Sequence, residues 1–547
     1  MFKTSTITCV STPSVHRRVF TSTGIVMAGI LASRLLGFFR EWAVAHQVGS
    51  NAMTDVYYAA FTLPDFLNYL VAGASLSATF IPVFAKYSAE GNEDEAWWVF
   101  STVMTFMGTL ITALIVMGEI FAPQLANLIA PGFNPAERQR LIFLTRLMLP
   151  AQFCFYQGSI LSAVQYAKGR FVIPSLAPVV YNIMIVLGGI FLASRYGMTG
   201  FAIGVVVGAI LGNFLLQVYG AFQAGAKFRP NFNLRHPGFI LFLKLSVPIM
   251  LALSLVFTDD WVIRWFGSYL QPASITWLSY GKTLMRVPLG VVGQGVGVAS
   301  FPFLAQLYSE GKMDELNRLL NTTMKWLIIL LVPISALTIA ESSPVVYLVF
   351  SHTRLRGSDF NATAGTLMLF SLGMFAWGAQ NILARGFYAT RNTMTPAIVG
   401  TVLAVANLPV YWLLVRHFQH IGLALASSIG ITAYTVALFA LLNRRTKNPE
   451  GGAITFFFLK VSGASAVVAY VSYRLQLLLE PHFAWHTTSG AFALLVIVTA
   501  VGIGLLFIAA KLLRIPEFDQ LAARLRKMLV RNTAAAVVPV APNRTDR

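Results

Sequence analysis

Long apolar runs separated by short polar stretches repeat along almost the whole chain. Fourteen of them lie at 22–46, 56–85, 97–120, 141–166, 174–194, 199–222, 239–258, 276–305, 324–341, 364–386, 396–415, 421–442, 455–474 and 489–512. A helix of ~20 apolar residues crosses a ~30 Å hydrocarbon core, so each run reads as a membrane span. The runs around Pro64 and Pro288 are interrupted, because an internal proline removes one helical hydrogen bond. The pattern predicts an all-α polytopic membrane protein with about 14 transmembrane helices.

The runs also repeat as a block. FIPVFAKYSAEGNEDE carries Pro82, Ala85, Glu90, Gly91, Asp94 and Glu95. SFPFLAQLYSEGKMDE carries Pro302, Ala305, Glu310, Gly311, Asp314 and Glu315, all at one constant displacement from the first set. Tyr166, Ala167 and Pro174 return as Tyr388, Ala389 and Pro396, in almost the same register. Two motifs in near-constant register mark an internal duplication. The displacement covers six spans, an even number, so the halves share one orientation, as in parallel repeats that hold a substrate between them. The organisation expected is a cytoplasmic segment 1–21, an N-lobe 22–222, a linker 223–238, a C-lobe 239–442, two further helices at 455–512 and a basic tail 513–547. Glu-Gly followed by Asp-Glu reads as a helix stop and an acidic helix start, a structural signal.

Composition agrees with the pattern: 56% of the 547 residues are hydrophobic and 11% charged, with mean hydropathy +0.68. The net charge of +19 is not a nucleic-acid signature here, since the basic residues alternate with the spans. With the N-terminus inside, roughly 23 Lys and Arg fall on the cytoplasmic side and about 8 outside, as the positive-inside rule requires. Both termini are therefore expected in the cytoplasm. The tail, with Arg524, Arg526, Lys527 and Arg531, reads as a helix facing solvent or lipid headgroups. Cys9 and Cys154, one before the first span and one within the fourth, imply no disulfide framework. The polar start and long, charged first span read as a retained anchor rather than a cleaved signal.

Enzyme signatures are absent: the sequence has no H-E-x-x-H, no Walker loop, no cysteine pair, and eight scattered histidines. GVVGQGVGV at 290–298 is intramembrane and reads as a close-packing helix surface. The informative residues are the intramembrane charges. A charge near the bilayer centre costs about 2.5–3.5 kcal/mol on insertion scales, so it faces a protein interior or a wet cavity. SRLLGFFRE places Arg34, Arg40 and Glu41 in the first span, with Asp55 nearby and Arg146 in the fourth; Lys282 and Arg286 share one face of the eighth. Cations point to an anionic substrate, although Arg34 and Arg40 could instead only neutralise Glu41 and Asp55. Glu119 and Glu341 read as interfacial. Arg34 and Arg40 are about 9 Å apart along a helix, enough to span a diphosphate and an adjoining sugar, although they point in directions about 120° apart.

SRLLGFFRE, the Thr54-Asp55 step, LPDFL near Pro64, SATFIPVF, the PGF at Pro131, RFVIPSLAPVVYN and GFYATRNTMTP together resemble the MurJ (MviN) family of bacterial lipid II flippases, within the multidrug/oligosaccharidyl-lipid/polysaccharide exporter superfamily. The resemblance runs through nearly all the spans. It implies two six-helix lobes, a cationic central cavity and a lipid-tail groove on the last two helices, and it gives Arg34, Arg40 and Asp55 functional weight. Where the family has two arginines in the second span this chain has Asn68 and Tyr69, and where it has Asp-Arg in the eighth this chain has Lys282 and Thr283.

The resulting expectation is an alternating-access flippase for an undecaprenyl-diphosphate-linked peptidoglycan precursor. Arg34, Arg40, Lys282 and Arg286 would bind the diphosphate, Asp55 would pair with an arginine or a substrate amine, and Glu41, Asn68 and Arg146 would add cavity polarity. No metal or organic cofactor is expected; a coupling ion or the membrane potential would supply drive. The partners expected are the lipid-linked saccharide, membrane lipids and cell-wall synthesis proteins, with no nucleic acid. The rival readings are a flippase for an O-antigen-type glycan, a cation-coupled multidrug antiporter, which needs an acidic cavity, and a membrane glycosyltransferase, which needs a catalytic carboxylate on a large loop.

Overall fold

The computed structural model describes residues 13–70, 73–250, 255–483, 485, 487–515 and 517–518. Among the described residues the chain is helical and has no strand. The first half runs α1 (Pro13–Gln47), α2 (Ala52–Ala60), α3 (Thr62–Leu70), α4 (Gly73–Ala89), α5 (Glu93–Ile120), α6 (Ala122–Ile129), α7 (Pro135–Met148), α8 (Ala151–Ala167), α9 (Val172–Tyr196), α10 (Met198–Gly208) and, after a π-helical stretch, α11 (Leu216–Gln223). The second half runs α12 (Pro237–Met250), α13 (Leu255–Gly267), α14 (Ser274–Ser309), α15 (Met313–Ala340), α16 (Ser342–Phe350), α17 (Gly357–Leu372), α18 (Met374–Ala389), α19 (Met394–Ala406) and α20 (Leu408–Thr446), followed by α21 (Gly451–Leu479) and α22 (Thr488–Leu512).

Eight segments are long and apolar enough to cross a membrane on those grounds alone, and the pair α17–α18, bent by 41°, makes a ninth. One of the eight, Met394–Thr446, is 53 residues long, enough for two spans. It folds back at Gln419, whose φ of 51° breaks the helix, and Asn407 and Pro396 then meet Ala426 and Tyr434 across the bend. The remaining four rods, α1, α2–α4, α12–α13 and α14, are those carrying charges or breaks. The interruption expected at Pro64 is real, dividing α2 from α3 and α4, whereas α14 continues through Pro288. Helix α1 begins at Pro13, ahead of its apolar run. Cys154 is buried and free; Cys9 and the basic tail from Arg524 lie outside the described residues.

The duplication is visible in the backbone. After α4, Glu90, Gly91 and Asn92 donate to the carbonyls of Lys86, Ser88 and Tyr87. After α14, Glu310, Gly311 and Lys312 donate to those of Gln306, Tyr308 and Leu307, the same pattern at the equivalent positions. Gly91 and Gly311 have φ of 76° and 73°, the left-handed region where a side chain is disfavoured. The second pair of turns has Gly169 (φ 73°) in one half and Arg391 (φ 57°) in the other. A third equivalence escapes the sequence motifs. Gly197 (φ 54°, ψ −133°) and Gln419 (φ 51°, ψ −132°) hold the same bend in the register set by Tyr166 and Tyr388.

Close helix approach in the first half rests on small residues. A Cβ added at Gly200, Gly204, Gly208 or Gly212 would sit 2.8, 2.7, 2.8 or 2.8 Å from backbone atoms of α9. Glycine at every fourth position thus lets α9 and α10 pack backbone to backbone. The connection between lobes is also ordered: Ser101 accepts from the Arg229 amide at 3.0 Å, and His236 meets Glu95 at 2.7 Å. Helix α12 then packs on α4 and α5 of the first half, whereas α13 packs mainly on α20 and α19 of the second and makes smaller contacts with α14 there and with α3 and α6 of the first.

Candidate functional site

Between the lobes lies a cavity of about 670 Å³, walled by α1, α2 and α3 on one side and by α13, α14 and α18 on the other. Exposure grades along it. Tyr57 and Glu41 at one end are 1% and 4% exposed, while Arg34, Asn68 and Arg286 at the other are exposed.

The shut end is an inter-lobe seam. Asp55 accepts from the Ala273 and Thr276 amides at 2.7 and 2.8 Å, and from the Thr276 hydroxyl at 2.6 Å. It therefore caps the start of α14 from the opposite lobe, satisfying amides that open every helix unpaired. Tyr280 donates to the Gly49 carbonyl, the Arg354 amide to the Ala45 carbonyl, and the Gly132 amide to Ser268. Gly132 is forced by proximity, since a Cβ there would lie 2.4 Å from the Ser268 carbonyl oxygen. This position of Asp55 corrects the expectation from sequence. It pairs with neither an arginine nor the cavity; it is a backbone cap on the seam.

Five cations and three carboxylates line the cavity: Arg34, Arg40, Arg264, Lys282 and Arg286 against Glu41, Asp65 and Asp260. On the first-half wall, Arg40 holds Glu41 at 2.7 Å, and Tyr58 donates to the other Glu41 oxygen. So Arg40 is paired, as the neutralising reading of that residue has it. Arg34, six residues earlier on α1, has no carboxylate partner among the described residues. Its guanidinium lies against α14 at Gly290, where an added Cβ would come within 2.0 Å of Nη1. Gly290 opens the glycine-rich run, and its missing side chain makes room for that arginine.

The second-half wall is built differently. Lys282 is 6% exposed and lies 2.6 Å from Asp259 and 2.5 Å from Asp260, with the rings of Phe370 and Trp377 at 5.6 and 5.2 Å. Tyr411 donates to Asp259, as does Ser427 at 3.0 Å. Arg286 approaches Asp260 at 3.5 Å and is 46% exposed. One turn beyond Asp260, Arg264 crosses to the other lobe, bonding Asp65 at 3.1 and 3.2 Å and Thr62 at 3.0 Å.

The structure thus brings Arg34, Arg40, Glu41, Asn68, Lys282 and Arg286 around one space, and leaves Asp55 and Arg146 out. Arg146 projects from the far side of α7, 45% exposed, toward Glu119 at 3.8 Å and its carbonyl at 3.1 Å. It terminates a helix rather than lining the cavity. Glu341, read as interfacial, is 3% exposed and accepts from Thr499 at 2.7 Å, joining α15 to α22. Asp259, Asp260, Arg264 and Asp65 escape the reading from sequence. Asp260 and Arg264 at four-residue spacing are a helix-face signal, hidden because the seventh apolar run ends at 258. Among the described residues no group of three or more His, Cys, Asp or Glu could hold a metal. What remains is a water-accessible, net positive space suited to holding and releasing a polyanionic headgroup.

The model of the family described as lipid II flippase MurJ matches residues 44–506. A probable lipid II flippase MurJ of Buchnera aphidicola subsp. Acyrthosiphon pisum is 28% identical over 419 residues, 76% of this chain and 81% of the relative. One from Haemophilus influenzae is 27% identical over 452 residues, 79% and 88% of the two chains. Among solved structures, a lipid II flippase MurJ in an inward closed conformation superposes with TM-score 0.74 at 24% identity, over 89% of this chain and 98% of that one. A MATE transporter of Vibrio cholerae shares the fold at TM-score 0.55 and 13% identity, over 80% and 98%.

Proposed function

The chain belongs to the lipid II flippase MurJ family, and from that premise we propose that it carries lipid II, an undecaprenyl-diphosphate-linked peptidoglycan precursor, across the bacterial inner membrane by alternating access. The observation that supports this reading is the inter-lobe cavity of about 670 Å³, whose lining carries five cations against three carboxylates. The diphosphate would lie between Arg34 and Arg286, the two exposed cations on opposing walls, while Arg40 and Lys282 balance the acids set behind them. The polyprenyl tail stays in the lipid.

The basic asymmetry of the loops supports both termini in the cytoplasm; on that orientation the seam of Asp55, Gly132 and Tyr280 would face the periplasm and the exposed end the cytoplasm. Cargo would enter at Arg34, Asn68 and Arg286 and leave after the seam parts. Moving net charge through the potential is worth about 2.3 kcal/mol per charge per 100 mV, a drive that calls for no bound cofactor. The cationic cavity disfavours a drug antiporter, which needs acid at the centre.

Complementation tests the reading: a bacterium depleted of its own lipid II flippase should grow when given this chain and fail when given the Arg34→Ala variant. Growth on the wild-type chain only in a strain lacking its O-antigen flippase would reassign the cargo.

A further inference from the structure

Resting on that reading, we propose that Arg264 is a further cargo-contacting residue whose pair with Asp65 latches the lobes until a diphosphate draws it away. Three observations carry this. Arg264 belongs to α13, packed mainly on the second half, while Asp65 and Thr62 belong to α3 of the first, so the interaction crosses the interface. Arg264 and Asp65 also line the cavity, with 15% and 40% of their side chains exposed. The other inter-lobe contacts of the seam, Asp55 with Ala273 and Thr276, Gly132 with Ser268, and Arg354 with Ala45, involve residues outside the cavity lining. The ion pair is the part of the closure that cargo can touch.

The charge arrangement says why cargo would open it. Asp260, one turn from Arg264 on the same helix, is already held by Lys282 and Arg286. Arg264 therefore relies on Asp65 across the interface. A diphosphate offers more charge than one carboxylate and matches the planar fork of a guanidinium with two parallel hydrogen bonds. Its arrival near Arg286 gives Arg264 a better partner and leaves Asp65 free, with nothing ionic joining α13 to α3. Linkage makes the relation reciprocal: if cargo weakens the latch, a weakened latch must strengthen cargo binding.

The test uses the full-length protein with Cys9 and Cys154 replaced and Ser279→Cys placed in the cavity wall. Labelling by a membrane-impermeant thiol reagent is read from the seam side, and binding is measured for undecaprenyl diphosphate, with undecaprenol as the uncharged control. With the latch intact, position 279 should be protected until the diphosphate lipid is added and unaffected by undecaprenol. Asp65→Asn should label without cargo and bind undecaprenyl diphosphate about 5-fold or more tighter, the lower range of typical coupling. Arg264→Gln should label equally without cargo but bind more weakly, and Arg264→Lys should fall between. The exchange D65R with R264D should restore protection without cargo, a rescue that separates the latch from a general folding defect. Asp65→Asn labelling like the parent, or binding no more tightly, overturns the latch while leaving the flippase reading in place. Failure of the parent protein to bind undecaprenyl diphosphate at all overturns both.

Discussion

The two walls of the cavity hold similar numbers of cations in opposite conditions. On α1, Arg34 has no carboxylate partner among the described residues and Arg40 is bound to one neighbour in sequence. On α13 and α14, Lys282, Arg286 and Arg264 are distributed over Asp259, Asp260 and Asp65, with Tyr411 and Ser427 completing the Asp259 shell. One wall presents charge; the other stores it. Counting intramembrane cations therefore overstates what the second half offers a cargo, because Lys282, Arg286 and Arg264 are set against as many carboxylates, Asp259, Asp260 and Asp65. It also means the second wall has alternatives among which partners can be exchanged, the property a conformational switch requires.

That contrast is most exposed at Lys282. Removing it leaves Asp259 buried with only hydroxyl donors, and breaking a buried pair typically costs ~3–5 kcal/mol. Lys282→Ala should thus lower the thermal unfolding midpoint and the amount of folded protein, and the further change Asp259→Asn should recover much of the loss. A Lys282→Ala protein as stable as the parent but unable to bind cargo would move Lys282 to the presenting class.

Arg34→Ala should behave the opposite way. It breaks no ion pair, so folding and insertion should be near normal, while cargo binding falls by about two orders of magnitude, as for truncation of one partner of a charged contact. Arg286→Ala, on the storing wall yet half-exposed, should lie between them, with a several-fold loss of binding and little change in stability. Loss of folded protein in Arg34→Ala would erase the distinction between the walls.

The seam gives a third, smaller effect. Asp55→Ala should remove a helix cap worth about 0.5–2 kcal/mol, and because the cap comes from the opposite lobe the loss should appear as seam-side labelling of Ser279→Cys. Smallest of all is Gln419→Gly. A non-glycine residue in that backbone region carries about 1–3 kcal/mol of strain, against ~0.5–1 kcal/mol of chain entropy lost with glycine. A modest rise in the thermal midpoint should follow, with transport unchanged.

The fold was legible because its signals are local. Apolar run length and the constant displacement that carries Pro82, Glu90 and Gly91 onto Pro302, Glu310 and Gly311 announce the rods and the duplication without any tertiary knowledge. The cavity was half legible. Arg34, Arg40 and Arg286 stand in apolar surroundings, and their expense alone directs them inward. Asp55 was misassigned because a buried carboxylate announces only that it needs donors. It does not reveal that they are backbone amides at the start of a helix in the other lobe. Arg264 and Asp260 were lost for another reason: the apolar run ends before them, while helix α13 continues through them to Gly267.

The same-sense duplication has a consequence for the energetics of the working cycle. In a transporter made of inverted halves, exchanging the two conformations turns one access state into the other, so symmetry ties their energies together. Here the duplication covers an even number of spans, so the halves share one sense, and the turns at Gly91 and Gly311 repeat one backbone geometry. No exchange of conformations between halves interconverts the two access states. Their energies are set independently, and residues at one face alone, such as Asp55 and the Asp65–Arg264 pair, can fix where the molecule rests without any compensating change at the other.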